Sequence, residues 1–396
     1  MSFTISKWFN NHQAPSVLMI DDLSDAYIET YKEAYKNDWG YLCKEENSVY
    51  SFLEKELLNK FPSIKITFFV PYLKHNVISE KGKKSYKKYG VGERIEFSNF
   101  LKHLIKEGHE IAHHGSNHGQ YIDTSNPSTV NNFKHEWELF ENVDEGVEVT
   151  KKGIETFKEH LNVEIKGGKF CGYKQRENSL EIIDKSKFDY WCEDVNYNTK
   201  NYTATKFGEE NIISFPTNFS GNAFVRLSYS TGDKHKDRKK QFTKYLQPLY
   251  DISQYKALNN LYTSGNIISI QEHISPATSS GITQSANIVS DITSLQKIYN
   301  YLSNKSIWYA TCQDIADYIY AVENTDIYID NEEIVLKFNN YKNLENITIS
   351  INDKEYFEFF SQKKHYVSKK NNHKYTVNIP IVNGENRYRV EREHKI

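Results

Sequence analysis

Between residues 14 and 322, short apolar runs alternate with segments in which apolar residues recur at helical spacing. The run Ser16–Ile20 predicts a buried strand, a helical pattern around Leu53 and Leu57 follows it, and Ile64–Val70 predicts the next strand. The pattern continues with predicted helices at 97–105, 147–161, 180–183 and 288–302, predicted strands at 110–112, 188–191, 266–270 and 307–310, and a turn at Gly167–Gly168. This alternation predicts an α/β domain with parallel strands.

The pattern changes after Asn324. Four short β-rich runs, at 327–330, 334–338, 347–351 and 375–379, are separated by Asn, Asp, Lys and Gly. We therefore predict two domains, an α/β domain over residues 1–323 and a small all-β domain over residues 324–396. We expect the second domain to take no part in chemistry.

Charge and hydropathy exclude several classes of protein. The 50 basic and 52 acidic residues give a formal net charge of −2, so the chain has no excess of positive charge with which to neutralise nucleic acid. No apolar stretch approaches the roughly 20 residues that span a bilayer, so we predict no transmembrane segment. The N-terminus lacks the features of a secretory signal, which predicts a cytoplasmic location.

Cysteine spacing argues against a thiolate zinc site or a disulfide framework. The four cysteines form no Cys-x-x-Cys pair, and we expect free thiols that are mostly buried. They are Cys43, Cys171, Cys192 and Cys312.

Candidate catalytic residues follow three of the predicted strands. Asp21 and Asp22 end the first strand, His114 and His118 follow a later one, and His273 ends a third. The four-residue spacing of the two histidines predicts that both imidazoles lie on one side of a helical turn. Two imidazoles and a carboxylate form an open ligand set for a catalytic divalent metal, most simply zinc.

These segments resemble the polysaccharide deacetylases with the NodB homology domain, which form carbohydrate esterase family 4. Leu18-Met-Ile-Asp-Asp22 resembles the first motif of the family, Gly108-His-Glu-Ile with His114-Gly-Ser-Asn-His118 the second, and Asn266 to His273 the fifth. The resemblance implies an irregular (β/α) barrel. It also implies that Asp21 is the general base, that Asp22, His114 and His118 bind the metal, and that His273 is the general acid.

The third and fourth motifs depart from the family pattern. An Arg that holds the catalytic Asp is expected near Cys171, and Lys169, Lys174 or Arg176 are the alternative sources of positive charge. We also expect the backbone near Tyr173 to supply an N–H to the oxyanion. Supporting or substrate-binding roles fall to Trp191 and Asp194, with Asp194 or Glu193 fixing the tautomer of His273.

The resemblance implies a metal-dependent hydrolase that removes an acetyl group from an N-acetylated sugar or oligosaccharide, in the metabolism of surface polysaccharides. Two alternatives remain open: an amidase that acts on a small cyclic amide, and a carbohydrate-binding relative that has lost catalysis. The missing Arg favours the second alternative, whereas the presence of both Asp residues and of all three His residues counts against it.

Overall fold

The computed structural model describes residues 2–27, 48–73, 76–79, 84–121, 133–194, 203–225, 246–274, 287–339, 344–352, 357–361, 364–371 and 374–392. Cys43 lies outside the described residues. The chain divides into two compact units. The first comprises 1–15, 305–308 and 314–396, and the second comprises 16–304 and 309–313.

The strands are, in chain order, β1 Phe3–Ile5, β2 Ala14–Asp21, β3 Asp25–Tyr27, β4 Ile66–Val70, β5 Asn76–Ser79, β6 Lys84–Tyr89, β7 Glu110–His113, β8 Gly119–Tyr121, β9 Phe133–His135, β10 Gly167–Lys169, β11 Tyr190–Asp194, β12 Thr205–Phe207, β13 Ile212–Thr217, β14 Phe219–Ser220, β15 Ile268–His273, β16 Ile307–Tyr309, β17 Thr325–Asp330, β18 Glu333–Phe338, β19 Leu344–Ile351, β20 Phe357–Phe360, β21 His365–Val367, β22 Lys369–Asn371, β23 Lys374–Ile381 and β24 Gly384–Arg392. The helices are α1 Val49–Leu53, which continues as a π-helix over Glu54–Leu58, then α2 Ile95–Lys106, α3 Val143–Leu161, α4 Ser179–Lys185, α5 Gln247–Thr263, α6 Asn287–Leu302 and α7 Cys312–Glu323. None of these helices is both long and apolar enough to cross a membrane.

A large, mainly parallel sheet runs through the second unit. Its strands lie in the order β12-β13-β11-β10-β7-β4-β2-β15-β14, and every pair along this path is parallel except β12–β13. Strand β2 is buried along its whole length, as expected of a strand covered on both faces. The mixed α/β class predicted from the sequence is confirmed.

The predicted barrel closure is wrong for the described strands, which form an open sheet with β12 and β14 at its ends. Strand β12 runs antiparallel to β13 and occupies the edge where another parallel strand would have to continue the sheet. The strand β14 at the other edge is only two residues long. Among the strands that the structure describes, the sheet therefore stops on both sides and forms no closed ring.

The predicted turn at Gly167–Gly168 is also wrong, because these residues lie in strand β10 between β7 and β11. A Cβ atom on Gly167 would lie 2.2 Å from the ring of Tyr190, and one on Gly168 would lie 2.4 Å from the ring of Trp191. Glycine at these positions allows two large aromatic side chains of the neighbouring strand to lie against the backbone.

The first unit contains two antiparallel sheets, ordered β1-β19-β23-β22 and β17-β18-β24-β20-β21. Ile347, Ile349 and Ile351 alternate along β19 into an apolar core that also contains Phe357 and Phe359. The four β-rich runs predicted after Asn324 are strands here. This unit includes residues 1–15 as well, since β1 pairs with β19, and the boundary at 323/324 stays a prediction.

Candidate metal and acid–base site

The site lies at the carboxyl ends of neighbouring parallel strands. Asp21 ends β2, His273 lies opposite it at the end of β15, and His113 ends β7 just before His114. Parallel strands that end at one edge deliver their following residues to the same place. The structure brings Asp21, Asp22, His114, His118 and His273 together at this edge of the sheet.

The two adjacent carboxylates contact different partners. Both are buried, with 3% of Asp21 and 4% of Asp22 exposed. Asp22 follows the strand with φ +67°, a left-handed conformation that is costly for a residue other than glycine. The Asp21 carboxylate contacts a lysine, whereas the Asp22 carboxylate contacts two imidazoles. The pair therefore offers two chemically distinct carboxylates.

Asp22 and the two histidines form a compact cluster. Asp22 Oδ1 lies 3.4 Å from His114 Nε2 and 3.0 Å from His118 Nε2, and the imidazole centroids are 5.1 Å apart. His114 Nδ1 lies 3.0 Å from the backbone carbonyl of Lys169, which suits a tautomer with its proton on Nδ1 and leaves Nε2 to act as a ligand.

The histidines meet in a loop, so the predicted helical turn is wrong. Strand β7 ends at His113, and Gly115 (φ +74°) and His118 (φ +67°) both adopt left-handed backbone conformations that an α-helix cannot contain. The buried carboxylate of Glu136 orders this loop, since its Oε2 accepts hydrogen bonds from the backbone N–H groups of Ser116 at 2.6 Å and Asn117 at 3.2 Å. Burial raises the pKa of Glu136, and these donors act against that rise.

Lys169 supplies the positive charge at Asp21. Its side chain is fully buried, and its Nζ lies 2.9 Å from each carboxylate oxygen of Asp21. Burial alone would lower the pKa of Lys169, but the Asp21 carboxylate and the Tyr173 hydroxyl together outweigh burial and raise this pKa above its ordinary value. Arg176, by contrast, donates to the carbonyl of Phe140. Of the three cations considered from the sequence, Lys169 is therefore the one that the structure places on the carboxylate.

Tyr173 packs beside this ion pair. Its ring centroid lies 4.8 Å from Lys169 Nζ, and burial raises the pKa of its hydroxyl. Two of the backbone N–H groups considered for the oxyanion are engaged elsewhere, because Tyr173 N–H donates to the carbonyl of Phe170 and Lys174 N–H to that of Cys171. Both groups are already engaged in the short helical turn at 171–173.

Trp191 has the surroundings of a packing residue. It is fully buried, with its ring centroid 4.9 Å from that of Phe188, 5.2 Å from that of Phe170 and 5.6 Å from that of Trp137. The prediction that it supports substrate binding gives way to a core role, because the whole indole is enclosed by aromatic rings.

Asp194 is exposed at the end of β11, and the carboxylate of Glu193 accepts a hydrogen bond from Ser214 Oγ. His273 has other neighbours: its Nε2 lies 3.7 Å from Asp21 Oδ2 and 3.3 Å from Gln271 Nε2. The same Gln271 nitrogen is 3.4 Å from Asp21 Oδ2. Among the described residues, the side chains next to the His273 imidazole are thus Gln271 and Asp21. We predicted that Asp194 or Glu193 would fix the tautomer of this imidazole, and these contacts assign that position to Gln271 and Asp21 instead. The His273 side chain is 40% exposed, so solvent and ligands can reach it.

The residues fit a divalent metal. Ligand atoms about 2.0–2.2 Å from a tetrahedral zinc lie roughly 3.3–3.6 Å from one another, close to the two distances from Asp22 Oδ1 to the imidazoles. Within the described residues, the buried His114 Nε2 has no hydrogen-bond partner, as expected of an atom kept for a ligand. Two imidazoles and a carboxylate are also the donors that zinc accepts.

No family model matches the chain, and no curated protein sequence matches it. Among solved structures, a proposed polysaccharide deacetylase of Mycobacterium smegmatis is 15% identical, covering 83% of this chain and 97% of that chain with a TM-score of 0.45. A polysaccharide deacetylase of Pseudomonas aeruginosa PAO1, described as probable, is 14% identical, covering 78% of this chain and 91% of that chain with a TM-score of 0.42. A family 4 acetyl xylan esterase of Clostridium thermocellum in complex with a cobalt ion is 11% identical, covering 76% of this chain and 89% of that chain with a TM-score of 0.36.

Identity is low and the structural overlap is partial in all three cases, so the function has to rest on the site itself. The chain is similar, in its motifs and among solved structures, to the polysaccharide deacetylases of carbohydrate esterase family 4.

Proposed function

We propose that the protein is a metal-dependent hydrolase that removes the acetyl group from an N-acetylated amino sugar. The observation that carries the proposal is the division of labour between two adjacent buried carboxylates. Asp22 faces His114 and His118, while Asp21 is held by Lys169 beside His273. These different surroundings support metal binding by Asp22 and proton transfer by Asp21.

Asp22, His114 and His118 would hold the metal. When bound, a divalent metal supplies Lewis acidity for a carbonyl group and a lowered pKa for water. The loop geometry supports this role, because the Glu136 carboxylate and the Lys169 carbonyl fix both the backbone and the ring of the ligand segment. Partners of this kind orient metal ligands in known sites.

Asp21 takes the proton from the attacking water in this proposal. Its contact with Lys169 Nζ holds the carboxylate in place, with both carboxylate oxygens 2.9 Å from the ammonium group. Because Lys169 is fully buried, the ion pair has little freedom to rearrange. The rigid pair keeps the base oriented while the substrate binds.

His273 protonates the departing amine. Its imidazole lies at the end of β15, partly exposed and 3.7 Å from the Asp21 carboxylate, so one substrate can reach both groups. Gln271 Nε2 lies within 3.4 Å of both His273 Nε2 and Asp21 Oδ2 and links the two side chains. A carboxylate and an imidazole so arranged can take and give a proton in a single turnover.

An N-acetylated amino sugar is proposed as substrate from the motif resemblance, with a role in surface polysaccharide metabolism. Hydrolysis of a small cyclic amide uses the same groups, and it stays the second candidate. A binding protein without catalysis is disfavoured, since Lys169 takes the place of the missing Arg on the Asp21 carboxylate.

The experiment is acetate release by the zinc-loaded full-length chain, with N-acetylglucosamine oligomers, O-acetylated xylan and a cyclic amide offered in parallel. We expect acetate from the N-acetylated oligomers. Asp21→Asn should slow its release by roughly 10²- to 10⁴-fold, as expected on loss of a general base. The exposed Asp144→Asn is the matched control and should keep the wild-type rate. Ring opening of the cyclic amide without acetate release would favour the amidase, and no turnover of any substrate would contradict the proposal.

A further inference from the structure

We propose that Cys171 is a further ligand of the metal, binding it as a thiolate beside His114 and His118. The inference rests on the metal site of the proposed function, and it adds a donor that the spacing of the cysteines in the sequence did not suggest. It concerns which metal the site selects, and its test does not depend on the identity of the substrate.

The fold brings the thiol to the two imidazoles. Cys171 Sγ, one ring nitrogen of His114 and one ring nitrogen of His118 all lie within 4.8 Å of one another. Cys171 is fully buried and begins the short turn that follows β10, two residues after Lys169. A sulfur about 2.3 Å and nitrogens about 2.0–2.1 Å from one zinc ion would be roughly 3.5 Å apart, so a shift of about 1 Å closes the site.

The ligand loop is built against this sulfur. Cys171 Sγ donates to the backbone carbonyl of His114 at 3.2 Å, which ties the thiol to the segment that carries the imidazoles. A Cβ atom on Gly115 would lie 3.1 Å from Sγ and 2.4 Å from Glu136 Oε2, and the φ of Gly115 is +74°. Glycine is thus required where the loop passes between the thiol and the carboxylate.

Coordination replaces the hydrogen bond to the His114 carbonyl with a bond from sulfur to the metal. The thiol proton is released to solvent, so one proton leaves for each metal bound through sulfur. A thiolate is a soft ligand that favours zinc over hard cations such as magnesium and manganese. Asp22 Oδ1 lies 3.4 Å from His114 Nε2 and 3.0 Å from His118 Nε2, so the two imidazoles have both an oxygen donor and the sulfur as neighbours.

The test uses the full-length protein loaded with cobalt(II) in place of zinc. A cobalt–thiolate bond gives an intense charge-transfer absorption in the near ultraviolet that nitrogen and oxygen ligands do not give. We expect this band in the wild type and its loss in Cys171→Ser. The matched control is Cys192→Ala, which removes another buried thiol and should keep the band. Zinc affinity measured by competition with a chelator should fall at least about tenfold in Cys171→Ser.

If the wild-type protein bound cobalt but showed no such absorption band, the inference would be overturned. This measurement uses the wild type alone and does not depend on the folding of a variant. If that same protein still released acetate, the proposed function would stand without the thiolate. Unchanged absorption in Cys171→Ser would likewise refute the role of Cys171. If the wild type bound neither cobalt nor zinc, the metal site itself would be wrong.

Discussion

The two units of the chain bury different kinds of polar side chain. In the second unit, several acids, histidines and a lysine are buried, namely Asp21, Asp22, Asp25, His109, His113, His114, Glu136, Lys169, Glu272 and Asp291. In the described part of the first unit, no Asp, Glu, Lys, Arg or His side chain is buried, and the buried polar groups are hydroxyls of Ser, Thr and Tyr. Both units have an apolar core, so burial alone does not distinguish them.

The difference indicates where chemistry takes place. Burying a charge costs several kcal/mol even when the charge is paired, whereas a hydroxyl can be satisfied by one nearby acceptor. Thr325 and Ser6 illustrate the second case, with hydrogen bonds to Ala321 O and Ser350 Oγ. A unit optimised for stability alone would avoid buried charges. Asp21, Asp22, His114 and Lys169 gather at the carboxyl end of the sheet, and buried charges grouped in this way are typical of a functional site.

Loss of Lys169 should break this contrast most severely. Lys169→Ala leaves the buried carboxylate of Asp21 without its cation, and we expect a loss of about 3–5 kcal/mol in the free energy of unfolding together with loss of activity. Chemical denaturation at neutral pH measures the first quantity. Lys166→Ala is the matched control, since its partly exposed side chain pairs with exposed Glu164, and it should cost no more than about 1 kcal/mol. Equal stability of the two variants would show that the Lys169–Asp21 pair is not a buried ion pair.

A core substitution in the first unit should lower stability and leave metal content unchanged. Ile349 is fully buried in β19, and Ile349→Ala should cost about 2–5 kcal/mol through the cavity it leaves. Ile329, 57% exposed on β17, is the control, and Ile329→Ala should change stability by less than about 0.5 kcal/mol. Zinc per folded chain should stay equal in both variants. Loss of zinc from folded Ile349→Ala would indicate that this unit takes part in the site.

Glu272 offers a smaller, pH-dependent test. Burial raises the pKa of its carboxyl from 4.5 to about 8, so between these values the folded protein holds a proton that the unfolded chain releases. The contribution of Glu272 to stability is therefore full below pH 4.5 and is lost as the pH rises to 8. Glu272→Gln cannot ionise at this position and does not lose stability in this way. The difference between its melting temperature and that of the wild type should therefore shift in favour of the variant as the pH rises from 5 to 8. A difference of 1 kcal/mol in the free energy of unfolding corresponds to roughly 2–4 °C in melting temperature. The control is Glu177→Gln at an exposed position, whose difference in melting temperature from the wild type should not change with pH. A difference that does not change with pH for Glu272→Gln would show that Glu272 is not buried as a neutral carboxyl.

Hydrophobic periodicity predicted most elements of the second unit, because parallel strands covered on both faces are continuous apolar runs. It predicted neither β13 nor α5. Gly167 and Gly168 were misassigned for a different reason. Glycine permits both turns and close approach to a neighbouring side chain, and only the fold shows that Tyr190 and Trp191 lie against them.

The site was predicted where a motif carries the chemistry and missed where the support comes from elsewhere in the chain. Asp21, Asp22, His114, His118 and His273 follow strands in a recognisable order. The roles of Glu136 and Gln271 depend on loop and strand geometry that no local pattern records. Lys169 was one of three candidates for the cation that contacts Asp21. The sequence could not choose among them, because the folded structure, and not the spacing along the chain, brings Lys169 to the Asp21 carboxylate.

The central claim is that adjacent carboxylates divide metal binding from proton transfer. It is tested most directly by measuring zinc content by elemental analysis, on purified Asp22→Asn and Asp21→Asn side by side with the wild type. We predict about one zinc per chain in the wild type and in Asp21→Asn, and much less in Asp22→Asn, since of the two carboxylates only that of Asp22 contacts both imidazoles. Zinc retained by Asp22→Asn and lost from Asp21→Asn would contradict the account.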